Sequence, residues 1–143
     1  MKKIKKIALV VLFVFPLLGL FGKRDNPPVE NTVKWDSPRT KELFYTACAD
    51  CHSNETKWPW YSYLAPASWL VSNNVNEGRE HFNISLKDMG DSDEAAEEVS
   101  EKEMPPNDYL IMHRDAKLSA QDRETLLQGL IKTFGQKEDN GDH

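Results

Sequence analysis

Residues 48–52 read Cys48-Ala49-Asp50-Cys51-His52, and the two cysteines of the chain are both here, with a histidine directly behind the second. A disulfide scaffold for a small exported domain normally needs more pairs closing longer loops, so this pair points to chemistry rather than to stapling. Upstream, Ser37-Pro38 supplies an N-cap followed by proline at the first helical position. Thr40, Leu43, Phe44 and Ala47 then recur at helical spacing, which predicts a helix over 38–47 that delivers the cysteines at its end.

Downstream, residues 53–65 are dense in aromatics (Trp58, Trp60, Tyr61, Tyr63), and Pro59 and Pro66 oppose a long helix. An ordered loop that buries rings is expected there. A second helix is predicted from Pro66 to about Glu77, with Trp69, Leu70 and Val75 inward and Gly78 ending or kinking it. Residues 85–90 read as loop, and 92–102 as an acidic helix stopped by Met104-Pro105-Pro106. Ser119 caps a last helix whose Leu126, Leu127, Leu130, Ile131 and Phe134 form one apolar face, closed by Gly135. No stretch alternates as a strand. The expected fold is all-α with long loops, and its modest core leaves room for a large apolar cofactor.

Two thiols three apart reach the two vinyl groups on one edge of a porphyrin, and a histidine directly after the second is held at the iron. Cys48, Cys51 and His52 therefore read as a c-type haem attachment site, with His52 as the proximal ligand. Thiol-disulfide exchange is the first rival, but such pairs usually open a helix after a strand, whereas this one closes a helical pattern. Zinc is a weaker rival, because a closed site wants four ligands and no second close pair is present.

For the sixth iron position Met104 is favoured, since a thioether on a segment stiffened by Pro105 and Pro106 is presented with little entropy loss. The plainer alternative is a gap-filling core methionine. His113 is the runner-up ligand, ahead of His81, Met89 and Met112, while His143 lies in the tail. Trp58, Trp60 and Tyr61, with Tyr63, are candidates to line the haem pocket and reach its propionates, although ordinary core packing explains each ring equally well. Arg79 and Lys57 are further candidates for the propionates.

The first 24 residues hold six lysines and arginines and no acid, which leaves 12 basic against 23 acidic residues in the remainder, a formal charge of −11. Such acidity opposes nucleic-acid binding and suits docking on basic partner patches, or simply solubility. Four lysines precede an apolar run from Ile7 to Gly22, in the order of a secretory signal. That run is roughly 16 residues, short of the about 20 of a comfortable span. It is broken by Pro16 and Gly19, and no Ala-x-Ala site follows. The expected organisation is a signal peptide or membrane anchor over 1–24, a Pro-containing tether over 25–36, a haem domain over 37–135 and a disordered tail over 136–143. The lysine bias puts the acidic domain outside the cytoplasm.

Residues 48–66 (CADCHSNETKWPWYSYLAP), 75–81 (VNEGREH) and 103–119 (EMPPNDYLIMHRDAKLS) together resemble the small haem-binding domain of exported proteins from Bacteroidetes-type bacteria, described as cytochrome c-like. The resemblance spans about Pro38 to Phe134. It implies a cytochrome c-like helical fold and one covalent haem c on Cys48 and Cys51, with His52 axial and Met104 opposite.

The expected function is that of a monohaem c-type cytochrome, an electron carrier rather than an enzyme, serving extracytoplasmic redox proteins from the periplasm, free or membrane-anchored. A haem-based sensor or small-ligand module is the alternative, and peroxidase-type catalysis ranks last.

Overall fold

The computed structural model describes residues 2–136, and every regular element among them is helical. In chain order these are α1 (Lys2–Val14), α2 (Pro38–Ala47), α3 (Ala49–His52), α4 (Ala67–His81), α5 (Ala95–Glu101), α6 (Asn107–Met112) and α7 (Ala120–Phe134). Turns of 3-10 helix lie at Pro16–Phe21, Trp60–Tyr63 and Arg114–Ala116. The all-α expectation holds. Of the expected tail, residues 137–143 lie outside the described residues.

Capping sets the ends of α2 and α7. Ser37 Oγ accepts the Thr40 N–H at 3.1 Å, and Ser119 Oγ accepts the Asp122 N–H at 3.1 Å. Each bond satisfies a donor that the first helical turn leaves open, worth about 1 kcal/mol. The two helices cross closely at Gly129, where a Cβ would fall on the Thr40 side chain. Their apolar faces bury Leu43, Phe44, Leu126 and Leu130 together with Phe82, Ile84, Ala96 and Val99. Phe44 and the two leucines are almost fully enclosed, each contributing about 1.5–3 kcal/mol. Trp35, Phe44, Phe82 and Phe134 pack as tilted and edge-on rings with centroids 5.0–5.9 Å apart.

Several local expectations are corrected. Gly78 does not end α4, which continues to His81. Trp69 and Leu70 are exposed rather than inward, and only Val75 of that trio is buried. The acidic helix is shorter, Ala95–Glu101, and stops on Lys102 in the left-handed conformation at φ 68°. A helix over Asn107–Met112 was not expected; Pro106 sits at its N-cap. The 53–65 loop buries Ser53, Asn54, Thr56 and Ser62 rather than its rings.

The segment read as a tether has no regular structure, yet it lies along the domain. Glu30 and Asn31 donate backbone N–H groups to Ser85 O, and Asn54 Nδ2 reaches Pro28 O at 2.9 Å. Arg79 Nη1 holds Asp25 O at 3.1 Å, and Trp35 inserts its ring beside Phe44. The strap is fixed because its carbonyls and amides find partners that a free linker would leave to water.

Candidate functional site

Cys48 is the hinge of the site. It caps α2 with φ −126° and ψ −35°, donating its N–H to Phe44 O at 2.8 Å. Its own carbonyl accepts from Cys51 N (3.1 Å) and His52 N (2.9 Å), which winds the single turn of α3. The two thiols and the imidazole are thus set by one turn of chain.

A buried polar frame holds that turn. Ser53 Oγ donates to Ala49 O at 2.6 Å, and Thr56 Oγ1 to Asp50 O at 2.7 Å. Arg79 Nε donates to Ser53 O at 2.9 Å. Asn83 Nδ2 reaches Asn54 Oδ1 at 2.9 Å, and Ser85 Oγ accepts the Asn54 N–H. Satisfied networks of this kind rigidify a site, whereas a half-satisfied one would cost stability. Arg79 also donates to Asp25 O, Asn26 Oδ1 and Thr56 Oγ1, so its guanidinium is engaged in this frame. Lys57 is exposed, its N–H bonded to Asp50 Oδ1.

α4 lies against α3 at Gly78, where a Cβ would stand 2.8 Å from Cys51 O and 2.9 Å from Cys51 Cβ. Only glycine permits this approach. Beyond the end of α4, the Phe82 carbonyl lies 2.9 Å from His52 Nδ1. The histidine must donate there, which leaves Nε2 as the atom with a free lone pair. Burial lowers the His52 pKa, opposed by the Phe82 and Gly78 carbonyls, so the ring is held neutral.

Cys48, Cys51, His52 and Met104 line one cavity of about 510 Å³, with Phe44, Ala47, Phe82, Val99 and Leu130 as apolar walls. Its size falls within the roughly 300–1,000 Å³ of cofactor sites. Met104 is fixed from both sides: its N–H donates to Glu98 O at 3.1 Å, and Arg123 Nη1 donates to its carbonyl at 3.1 Å. Burial pushes the Cys48 thiol up to about 12 and Cys51 to about 11. Both are therefore neutral thiols, the opposite of the low-pKa thiolate that disulfide exchange uses. Among the described residues no three His, Cys, Asp or Glu side chains converge, which leaves a zinc site without its ligands.

The family model of a haem-binding domain matches residues 8–132. The chain belongs to that family. No curated protein and no solved structure matches it.

The haem-binding domain fits its cofactor on the structure's own terms. A mostly apolar cavity meets two thiols, one neutral imidazole with an available nitrogen and one thioether, which is the donor set an iron porphyrin takes. The other expected residues are elsewhere. Trp58, Trp60 and Tyr61 do not line this cavity, which corrects the expectation that they would. Trp58 Nε1 donates to Asn26 Oδ1 on the strap, and Trp60 is 70% exposed. Tyr61 lines a second cavity of about 260 Å³ with Cys51, Tyr109 and His113. There His113 stacks on Tyr109 with ring centroids 4.0 Å apart and lies 3.4 Å from Tyr61 Oη. The runner-up His113 thus lines a different cavity from His52 and Met104. His81 reaches the main cavity but is largely exposed and lies near Asp91.

Sequence reasoning missed the backbone of Phe82, the close approach at Gly78, the polar frame and Tyr109, whose hydroxyl donates to Asp50 Oδ2 at 2.9 Å. Gly78 inside a helical pattern was the one available signal, since a glycine there costs about 1 kcal/mol against alanine and asks for a packing reason.

Proposed function

We propose that this haem-binding domain is a monohaem c-type cytochrome with a cytochrome c-like fold, carrying electrons between extracytoplasmic redox proteins. Four donor side chains lining one cavity carry the reading. Cys48 and Cys51 would hold the haem covalently, and the His52 imidazole and the Met104 thioether would be the protein's donors to its iron. When bound, the haem contributes one-electron chemistry at its iron. The chain's residues do the rest. Phe82 O orients the His52 ring, and Glu98 O and Arg123 hold Met104 in place. The apolar walls offer a surface for the porphyrin faces. If His52 and Met104 both served the iron, no position on it would be left for a substrate, which favours a carrier over an enzyme.

The rim of the cavity includes Glu77, Asp91, Glu98 and Asp108. An acidic border of this kind attracts a partner with a basic patch and speeds its encounter, while a small contact keeps the complex short-lived. Thioether attachment of haem takes place outside the cytoplasm in bacteria, so the domain belongs in the periplasm.

Expression with a c-type maturation system tests the reading. The purified protein should carry one haem mass that survives denaturing electrophoresis and should show a methionine-ligated spectrum. The pair Cys48→Ser and Cys51→Ser should abolish the covalent haem. An exported, matured protein that is colourless, with both thiols free, would overturn the proposal.

A further inference from the structure

Residues Lys3–Phe21 form a helical stretch of 19 residues with mean hydropathy 2.3, long and apolar enough to cross a membrane by length and composition. A signal sequence passes the same criterion, so composition alone leaves its fate open. The end of this stretch is built into the domain. Gly19 is buried, and a Cβ there would stand 2.4 Å from Ala65 N and 2.7 Å from Tyr63 O. Ala65 N donates to Pro16 O at 3.0 Å. Arg24 clamps the junction: its Nη1 donates to Gly19 O (2.9 Å) and Ser62 O (2.8 Å), Nη2 donates to Leu20 O (3.0 Å), and its guanidinium lies 4.3 Å from the Tyr63 ring centroid. A leader that is discarded has no need of a glycine shaped to the mature fold. The family match, residues 8–132, also takes in most of this stretch.

Next to the junction the domain shows an apolar surface. Phe15 meets the Trp69 ring edge-on at 5.9 Å. Leu70 and Met112 border the smaller cavity with Pro59 and Tyr61, and Tyr61 packs on Trp60. Trp60, Trp69, Leu70 and Met112 are 70, 51, 54 and 55% exposed. Tryptophan with leucine and methionine, beside the end of a membrane span, is the composition of a bilayer interface, where amphipathic rings sit at headgroup level.

We propose that the N-terminal segment is retained as an anchor and that the domain rests on the bilayer surface through Trp60, Trp69, Leu70 and Met112. The occupant of this face is the headgroup and upper acyl region of the membrane that the segment crosses. Continuity selects it: Phe15, within the apolar stretch, is in ring contact with Trp69 of the patch, and the strap that follows is fixed rather than free. The acidic rim of the cavity is then held in one orientation toward soluble partners.

The test uses the full chain purified from membranes in detergent, and its readouts do not depend on bound haem. Intact mass should include the N-terminal segment; a chain that begins beyond Gly22 overturns the proposal. The protein is then placed in phosphatidylcholine vesicles doped with a diazirine-bearing phosphatidylcholine and irradiated. Lipid adducts are expected on α1 and on peptides containing Trp60 and Trp69–Leu70, with none on α7. The double variant Trp60→Ser and Trp69→Ser should lose the adducts on those loop and α4 peptides while keeping those on α1. Should that variant fail to fold, the wild-type adduct map decides. Adducts confined to α1, adducts spread evenly over α7, or a patch cross-linked to a second protein without lipid label would each overturn it.

Discussion

His52 and Phe82, thirty positions apart, are tied twice over. The imidazole Nδ1 meets the Phe82 carbonyl at 2.9 Å, and the two rings lie 5.4 Å apart. The same stretch returns a third contact, since Ile84 N donates to His52 O at 3.0 Å. A metal-binding imidazole whose other nitrogen donates to a carbonyl has one tautomer and one orientation, and gains basicity at the coordinating atom. The chain beyond α4 therefore fixes the His52 ring in the orientation that its proposed ligand role needs.

Met104 lines the same cavity as His52. Met104→Ala should lower the reduction potential and let the reduced protein bind carbon monoxide promptly. Arg123→Met leaves the Val99 and Met104 carbonyls without their donor, at about 1–3 kcal/mol. It should give a milder version of the same change. Unaltered potential and gas binding in Met104→Ala would remove the thioether from the iron.

Gly78→Ala should be costly out of proportion to one methyl group. The added carbon meets Cys51 O and Cβ inside 3 Å, so α4 must move away from α3. Overpacking of this kind costs about 1–3 kcal/mol. Urea unfolding should show the loss, and haem staining on a denaturing gel should show a lower yield of covalent haem, because the thiols shift with the helix.

Tyr109 gives the domain an alkaline limit. Burial, followed by the nearness of Asp50 and the hydrogen bond to it, raises the phenol well above its usual value. A raised folded pKa means the stabilisation is complete below the unfolded value of about 10 and is lost as pH rises through the folded one. Tyr109→Phe should therefore flatten the fall of stability above pH of about 10. At neutral pH it should cost about 1–3 kcal/mol for the lost bond to Asp50. Denaturant midpoints measured across that range check both parts.

Lys102 ends α5 at φ 68° and ψ 20°, a conformation that L side chains resist. Its side chain is exposed, so Lys102→Gly removes strain without removing packing. A gain of about 0.5–1 kcal/mol in thermal or urea unfolding is expected.

The helices whose bounds were legible in the sequence are those with a cap and an apolar face. Ser37-Pro38 and Ser119 mark their starts, and the spacings of Leu43 with Phe44 and of Leu126 with Leu130 give their inward faces. Trp69 and Leu70 misled because they obey a helical period yet face outward, toward Phe15 and the smaller cavity. The aromatic loop misled for a related reason: ring content signals burial, but the side chains that loop buries are Ser53, Asn54, Thr56 and Ser62, which bond to backbone groups.

Residue order alone was enough to point to a haem-binding domain, which the family match supports, because two thiols and an imidazole within five positions meet wherever the chain makes one helical turn. It was also enough to place α2 and α7, whose signals are local. Tertiary structure decided which distant groups serve that turn: the Phe82 carbonyl, the Gly78 gap, the Arg123 hold on Met104 and the seat of Gly19 against Ala65. Those contacts join residues 19 to 46 positions apart through backbone atoms and empty volume, which carry no side-chain signature in a sequence.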